Sequence, residues 1–188
     1  IYRKSLDANN IAITGSAGKT SVKELTGFCL SKLSKTYFSK NSFNNKYGVP
    51  LSIFNTPEKT NFAVLEVGMD KKGEIDYLTK LINPNLGLIT NISYAHIENF
   101  ENLNQIAKAK SEIIKNILPG GTIVINRDDK YYAYFFKEAK RKKLKIISFS
   151  EKIKNANVVF INQKKIKNKC LITFKINFKI KSFLISKE

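Results

Sequence analysis

Cysteine, histidine and acidic side chains are all scarce here: the 188 residues hold two cysteines, one histidine and fifteen acids. Cys29 and Cys170 stand alone without paired ligand spacing, which argues against a disulfide framework or a zinc site and points to a reducing compartment. The lone histidine, His96, is of a kind that is ordinarily structural or exposed, so only its position can give it interest. Long apolar runs are missing too. Nothing approaches the roughly 18 apolar residues of a membrane span, and the opening Ile1-Tyr-Arg-Lys-Ser5 lacks the apolar stretch of a signal peptide. The expectation is a soluble, cytoplasmic protein without a membrane partner. The first residue is not methionine, so an excised piece of a longer protein is also expected. Against 33 Lys and Arg, the shortage of acids leaves a net charge of +18. Such a charge raises nucleic-acid binding. Its distribution argues the other way, because lysines are scattered through every segment with many Asn and Ile. The densest run, Lys137 to Lys145, falls at a helix end, where cations complement the dipole.

What is present begins with Ile11-Ala-Ile-Thr-Gly15-Ser16-Ala17-Gly18-Lys19-Thr20-Ser21. An apolar strand enters a glycine-containing turn that ends in Gly-Lys-Thr and opens a helix. Backbone N–H groups of such a turn cradle phosphate, a lysine reaches the terminal phosphates, and a Thr hydroxyl can ligate Mg²⁺. The usual loop has four residues between its glycines, whereas here only Ser16 and Ala17 separate Gly15 from Gly18.

Strands and helices alternate after it. The patterns predict strands over 11–14, 61–67, 86–91, 122–126 and 144–149, and helices over 19–33, 74–82, 102–118 and 131–143. In the first helix Val22, Leu25, Phe28, Cys29 and Leu33 are read as the apolar stripe. This order predicts an α/β fold of P-loop type, a mostly parallel sheet flanked by helices, with ligands at the carboxyl ends of the strands. From Glu151 the character changes to short alternating segments over 158–162, 171–177 and 179–186, read as a small antiparallel β appendage. The domain reading is therefore 1–150 for the α/β part and 151–188 for the appendage. Ten lysines against two glutamates make the appendage the most basic part, and lysine interleaved along strands marks a solvated face or a protected edge.

The polar candidates gather at strand ends. Glu66 leaves an apolar strand where an acid can hold a Mg²⁺ bound to nucleotide phosphates. His96 follows the outlet of the strand at 86–91, and Asn44 and Asn45 lie in a loop where their amides could bind substrate.

Together these segments resemble the Mur ligases, ATP-dependent amide-bond-forming enzymes of peptidoglycan precursor synthesis that share their fold with folylpolyglutamate synthases. The shortened Thr14-to-Thr20 loop is similar to that superfamily's P-loop. Ser42-Phe-Asn44-Asn45 with Gly48-Val-Pro50-Leu51, Glu66-Val-Gly68-Met69 with Gly73-Glu74-Ile75, Asn91-Ile with Ala95-His96, and Ala107-Lys-Ala-Lys110 with Glu112-Ile113 resemble the type that adds D-alanyl-D-alanine. The likeness spans about Ile11 to Asp129.

It implies roles. Gly15, Ser16, Ala17, Gly18, Lys19, Thr20 and Ser21 would hold the ATP phosphates. Thr20 and Glu66 would share one Mg²⁺ and His96 would help place a second. Lys110, fourteen residues after the histidine, matches a family lysine that is often carbamylated, which turns a cation into a metal ligand. Lys19, His96 and Lys110 are then the catalytic candidates, and Asn44 and Asn45 the substrate contacts. Asn126, Asp128 and Asp129 resemble a stretch near the nucleotide. The implied reaction phosphorylates a UDP-sugar tripeptide carboxylate with ATP, and the amine of D-alanyl-D-alanine then displaces phosphate. Family members carry further amino- and carboxyl-terminal domains, so this piece alone is expected not to ligate. A monomer without nucleic-acid partners is expected. Another ligase of the superfamily, or a non-catalytic nucleotide- or nucleic-acid-binding module, is the alternative.

Overall fold

A computed structural model describes residues 7–94 and 99–186. In chain order the elements are β1 (Asn9–Thr14), α1 (Lys19–Ser31), β2 (Thr36–Phe38), α2 (Gly48–Phe54), β3 (Phe62–Glu66), α3 (Glu74–Ile82), β4 (Leu86–Ile89), α4 (Leu103–Lys110), α5 (Glu112–Asn116), β5 (Thr122–Asn126), α6 (Tyr132–Arg141), β6 (Lys145–Ser150), β7 (Val158–Ile166), β8 (Lys169–Ile176) and β9 (Lys179–Ser186). All nine strands form one sheet in the order β2-β3-β1-β4-β5-β6-β7-β8-β9. Pairing is parallel from β2 through to β7, then antiparallel in β7-β8 and β8-β9. The terminal strands therefore continue the parallel sheet, because β7 pairs with β6 through Phe149↔Val158 and Ser150↔Val159.

Strand β1 shows why the centre is buried on both faces. Ile11 and Ile13 join Val64 on the side covered by Val22, Leu30 and Phe38. Ala12 faces the larger core of Leu65, Ile75, Leu78, Ile106, Ile113, Ile123 and Phe135. Successive strand residues point to opposite faces, so a run of consecutive apolar residues is what a doubly covered strand requires. Each such Ile or Leu contributes about 1.5–3 kcal/mol on burial.

Helix α3 turns Ile75, Leu78, Thr79 and Ile82 inward, and a distant carboxylate holds its start. Buried Glu112 accepts from Gly73 N–H at 3.0 and 3.1 Å and from Asp76 N–H at 3.1 Å. Those are first-turn donors without intrahelical partners, and a carboxylate there also complements the helix dipole. The single helix predicted over 102–118 is two helices that break at Ser111. Strand β2 and helix α2 were not anticipated.

The apolar stripe predicted for α1 is corrected. Leu25, Phe28 and Leu33 are 65%, 58% and 79% exposed, and Cys29 is exposed as well. Only Val22 of the five packs towards the sheet, with Leu30 beside it. The residues of this helix that are fully covered are Lys23 and Gly27. Gly27 sets the approach, since a Cβ there would stand 2.4 Å from Phe38 ring atoms.

Candidate nucleotide and metal site

The register of the central strands decides what can meet. Ile13 lies opposite Glu66 and Thr14 opposite Ile89, so β1, β3 and β4 end at one sheet edge. The loop after β1 is packed hard against the β4 outlet. A Cβ on Gly15 would stand 1.8 Å from Thr90 Oγ1, and its φ of +151° suits glycine. Thr90 donates its hydroxyl to Ala17 O at 2.6 Å, Ala17 N–H donates to Asn91 Oδ1 at 3.0 Å, and Ser16 N–H donates to Asn91 O at 2.9 Å. Ser16 Oγ further donates to Ser93 O at 2.9 Å and accepts from Ser93 N–H at 3.0 Å. Thr90, Asn91 and Ser93 thus fix the loop between β1 and α1. The sequence offered Asn91 only as part of the motif leading to His96 and gave none of the three a role, although their place just beyond β4, the neighbour of β1, was the available signal.

Gly18, with φ +77°, precedes α1, and no side chain caps the helix start. First-turn N–H groups have no partner inside a helix. Such groups can receive an anion, which the helix dipole favours. Lys19 folds back to donate to Gly15 O at 3.0 Å. Burial pushes its ammonium below the usual lysine range, with the charge of Glu66 opposing that shift.

Thr20 Oγ1 donates to Glu66 Oε2 at 2.8 Å, and Asn44 Nδ2 donates to Glu66 Oε1 at 2.7 Å. Both carboxylate oxygens of this buried acid are held, one by helix α1 and one by the loop before α2. A hydroxyl and a carboxylate are hard oxygen donors of the kind Mg²⁺ selects. Asn45 does something different: its Oδ1 accepts from Tyr47 and Gly48 N–H at 3.1 and 2.9 Å, which secures the start of α2.

Lys110 closes α4 and is 1% exposed. Burial first, and then the nearby positive charge of Lys19, push its ammonium down to about 7. Among the described residues no hydrogen-bond partner meets its amine. Above that value the amine is mostly uncharged, the nucleophilic form, and it is kept apart from water.

With that geometry in place, comparison with known proteins is decisive. Residues 13–187 match the Mur ligase middle domain. The chain belongs to the Mur ligase family. The Buchnera aphidicola (from Acyrthosiphon pisum) UDP-N-acetylmuramoyl-tripeptide–D-alanyl-D-alanine ligase is 37% identical over 163 residues, which are 87% of this chain and 33% of that protein. Among solved structures, MurF from Acinetobacter baumannii superposes with TM-score 0.88 at 30% identity, over 98% of this chain and 40% of that one. MurF ligase from Thermotoga maritima in complex with ADP shares the fold, with TM-score 0.86 at 24% identity, over 97% of this chain and 42% of its own. The chain spans about a third of the length of the curated relatives it matches.

In this Mur ligase middle domain the site residues named from sequence separate into groups. Lys19, Thr20, Glu66 and Asn44 are gathered at one edge, with Lys110 near Lys19. His96 lies outside the described residues. The Asn126 stretch is a scaffold at the next strand end. Asp129 accepts from Ile92 N–H at 2.7 Å and Tyr131 N–H at 2.8 Å, tying β5 to the β4 outlet. Asp128 accepts from Ser150 Oγ at 2.6 Å and Glu151 N–H at 2.7 Å. Burial alone would raise the Asp128 carboxyl, but these bonds, one from Lys152 N–H and the Lys152 charge hold it below the usual range.

Proposed function

We propose that the protein carrying this chain is an ATP-dependent ligase of peptidoglycan precursor synthesis, adding D-alanyl-D-alanine to UDP-N-acetylmuramoyl-tripeptide, and that this chain supplies its ATP and Mg²⁺ site. The observation that carries the reading is the contact of Thr20 Oγ1 with Glu66 beside Lys19. It puts a phosphate cradle, a cation and a pair of hard oxygen donors at one sheet edge. The similarity to UDP-N-acetylmuramoyl-tripeptide–D-alanyl-D-alanine ligases supports the substrate.

The chemistry follows from charge. N–H groups of Gly15 to Ser21 and the Lys19 ammonium receive the ATP phosphates and offset the negative charge that grows on the transferring phosphoryl group. Thr20 and Glu66 are the oxygen donors that would hold a Mg²⁺, which would supply neutralisation of phosphate charge when bound. A substrate carboxylate attacks that group, ADP departs, and the amine of the second substrate displaces phosphate from the acyl phosphate to give the amide. The residues position and neutralise; none need become covalently bound to substrate.

Lys110 fits the part of a carbamylated lysine. Its amine is uncharged above about pH 7, which is the form that adds to CO₂. The resulting carbamate would replace a buried neutral amine with an anion able to ligate Mg²⁺, the role in which His96 is also proposed. Asn44 and Asn45 are assigned towards substrate; in the structure Asn44 reaches Glu66 and Asn45 secures the start of α2.

The test has two arms. The 188-residue chain binds Mg-ATP, and Lys19→Ala weakens that binding about 100-fold, a loss near 2.7 kcal/mol. The complete ligase releases phosphate only when both the UDP-sugar tripeptide and D-alanyl-D-alanine are present. Unchanged Mg-ATP binding by Lys19→Ala, or phosphate release driven by a different amine, would overturn the corresponding part. Labelled bicarbonate should give a carbamate resonance that is absent from Lys110→Arg.

A further inference from the structure

Helix α1 turns an unusual face to the protein interior, because its two fully covered residues are a lysine and a glycine. Lys23 and Gly27 stand i and i+4, neighbours on one side of the helix. The close seat of Gly27 on Phe38 brings Lys23 beside the chain that leaves β2. There the Lys23 ammonium, with no exposed surface, donates to Ser39 O at 2.5 Å and Asn41 O at 2.6 Å, and meets Glu24 Oε1 at 2.7 Å. Three partners use all three donors of an ammonium. A buried charge persists only when paired and hydrogen-bonded in this way. Asn41, one of the two residues gripped, has φ +46°, a left-handed conformation that Asn adopts more readily than most side-chain-bearing residues and that shapes the turn.

The gripped turn leads straight to the metal pair. Just beyond Asn41, Ser42 Oγ lies 3.4 Å from Thr20 Oγ1. Two residues further, Asn44 donates to Glu66 Oε1 at 2.7 Å, while its own carbonyl accepts from Gly68 N–H at 2.7 Å. Helix α1 is therefore joined to Glu66 twice, directly through Thr20 and indirectly through Lys23, the 39–44 turn and Asn44. We infer that Lys23 is a positioning residue for the Thr20–Glu66 metal pair, acting through the 39–44 turn, an assignment that rests on the nucleotide-site reading above. Its ammonium is spent on protein atoms, so its effect falls on the metal requirement and not on phosphate contacts.

The experiment uses the whole chain, ATP and Mg²⁺. Two quantities are measured: the Mg²⁺ concentration giving half-maximal ATP binding, and ATP affinity in excess EDTA. Lys23→Met keeps the alkyl stem and removes the three donors. It is expected to raise the half-maximal Mg²⁺ concentration about tenfold, the low end of the scale for losing an outer-shell partner, and to change ATP affinity in EDTA less than about twofold. Asn44→Ala should raise the Mg²⁺ requirement similarly, and the double variant should exceed Asn44→Ala by less than about twofold, because both changes act through one contact. Lys23→Gln, which keeps a donor for one carbonyl, is the second variant, with a smaller shift of about two- to threefold in the same direction.

A folded Lys23→Met or Lys23→Gln with an unchanged Mg²⁺ requirement would overturn the assignment. So would an equal loss of affinity in EDTA, or fully additive effects with Asn44→Ala. If neither variant folds, Lys23 is a structural residue only and the assignment falls. Absence of Mg-dependent ATP binding in the unmodified chain would sink the proposed function first and this assignment with it, whereas intact binding with unshifted variants sinks this assignment alone.

Discussion

Strands β1 and β9 are both short and both carry isoleucine among polar residues, yet five of the six β1 residues are buried and all eight of β9 are exposed. The difference lies in what surrounds them. β1 sits between β3 and β4 with cores on both faces, whereas β9 pairs with β8 alone among the described strands. The site follows the same division. Thr20, Glu66, Asn44 and Lys110 all belong to the covered parallel part, where a carboxylate or an amine can be held away from water. A ligand-binding edge needs a rigid scaffold, and doubly covered strands supply it.

The sharpest way to break that comparison is to truncate one isoleucine in each region. Ile13 is fully buried and Ile185 is 49% exposed. Ile13→Ala should cost about 3–4 kcal/mol, the sum of lost transfer energy and a residual cavity, and Ile185→Ala less than about 1 kcal/mol. Denaturant unfolding checks both. Equal losses would mean that β7 to β9 carry as much of the fold as the parallel part does.

A smaller effect separates a buried lysine of the parallel part from the exposed lysines of the strands that follow. Lys110 titrates near 7 in the folded chain and at about 10.4 when unfolded. Between those values the unfolded state binds more protons, so stability rises with pH there, and below about 7 the penalty is fully present. Lys110→Met should therefore stabilise the chain by about 2–3 kcal/mol at neutral pH in CO₂-free buffer without Mg²⁺. That advantage should shrink as pH rises from 7 towards 10, read from melting curves of both proteins. An advantage that does not change with pH would show that Lys110 is not held uncharged.

Next comes the carboxylate that braces α3. Glu112→Gln keeps the shape but replaces one accepting oxygen with a donor facing the N–H groups of Gly73 and Asp76. A loss of about 1–2 kcal/mol is expected from thermal unfolding, the range for losing a charged helix cap. A loss below about 0.3 kcal/mol would deny Glu112 its bracing role.

How much of this was legible without coordinates depends on the residue. Lys19, Thr20 and Glu66 stood out because a Gly-Lys-Thr turn and an acid ending an apolar strand have few other uses, and the β1–β3 register then joins them. Helix α3 and strands β5 and β9 fall at their predicted bounds. Lys23 was invisible, since lysine is read as surface, whereas here it is fully buried on the side of α1 where Gly27 sits on Phe38. The same blindness misplaced the apolar face of α1. Strand β2 has three residues and α2 seven, too few for a periodicity to register. Nothing in the sequence marks the break at Ser111.

The smallest effect concerns what the lysines of β7 to β9 are for. Among the described residues strand β9 has no neighbour on its outer side, and Ile180, Phe183, Leu184 and Ile185 on it are 69%, 49%, 53% and 49% exposed. An apolar edge of this kind invites pairing with another chain, and interleaved lysines oppose it by charge repulsion. Replacing Lys179 and Lys181 with serine should leave unfolding free energy within about 0.5 kcal/mol, because neither is buried. Association should nevertheless begin at lower protein concentration, as measured by light scattering. Random duplex DNA at near-physiological salt should bind neither protein, since lysines spread along an edge make no continuous track for phosphates. Salt-dependent DNA binding that disappears in the double variant would reverse this reading and make the last three strands a second functional region instead of a guarded edge.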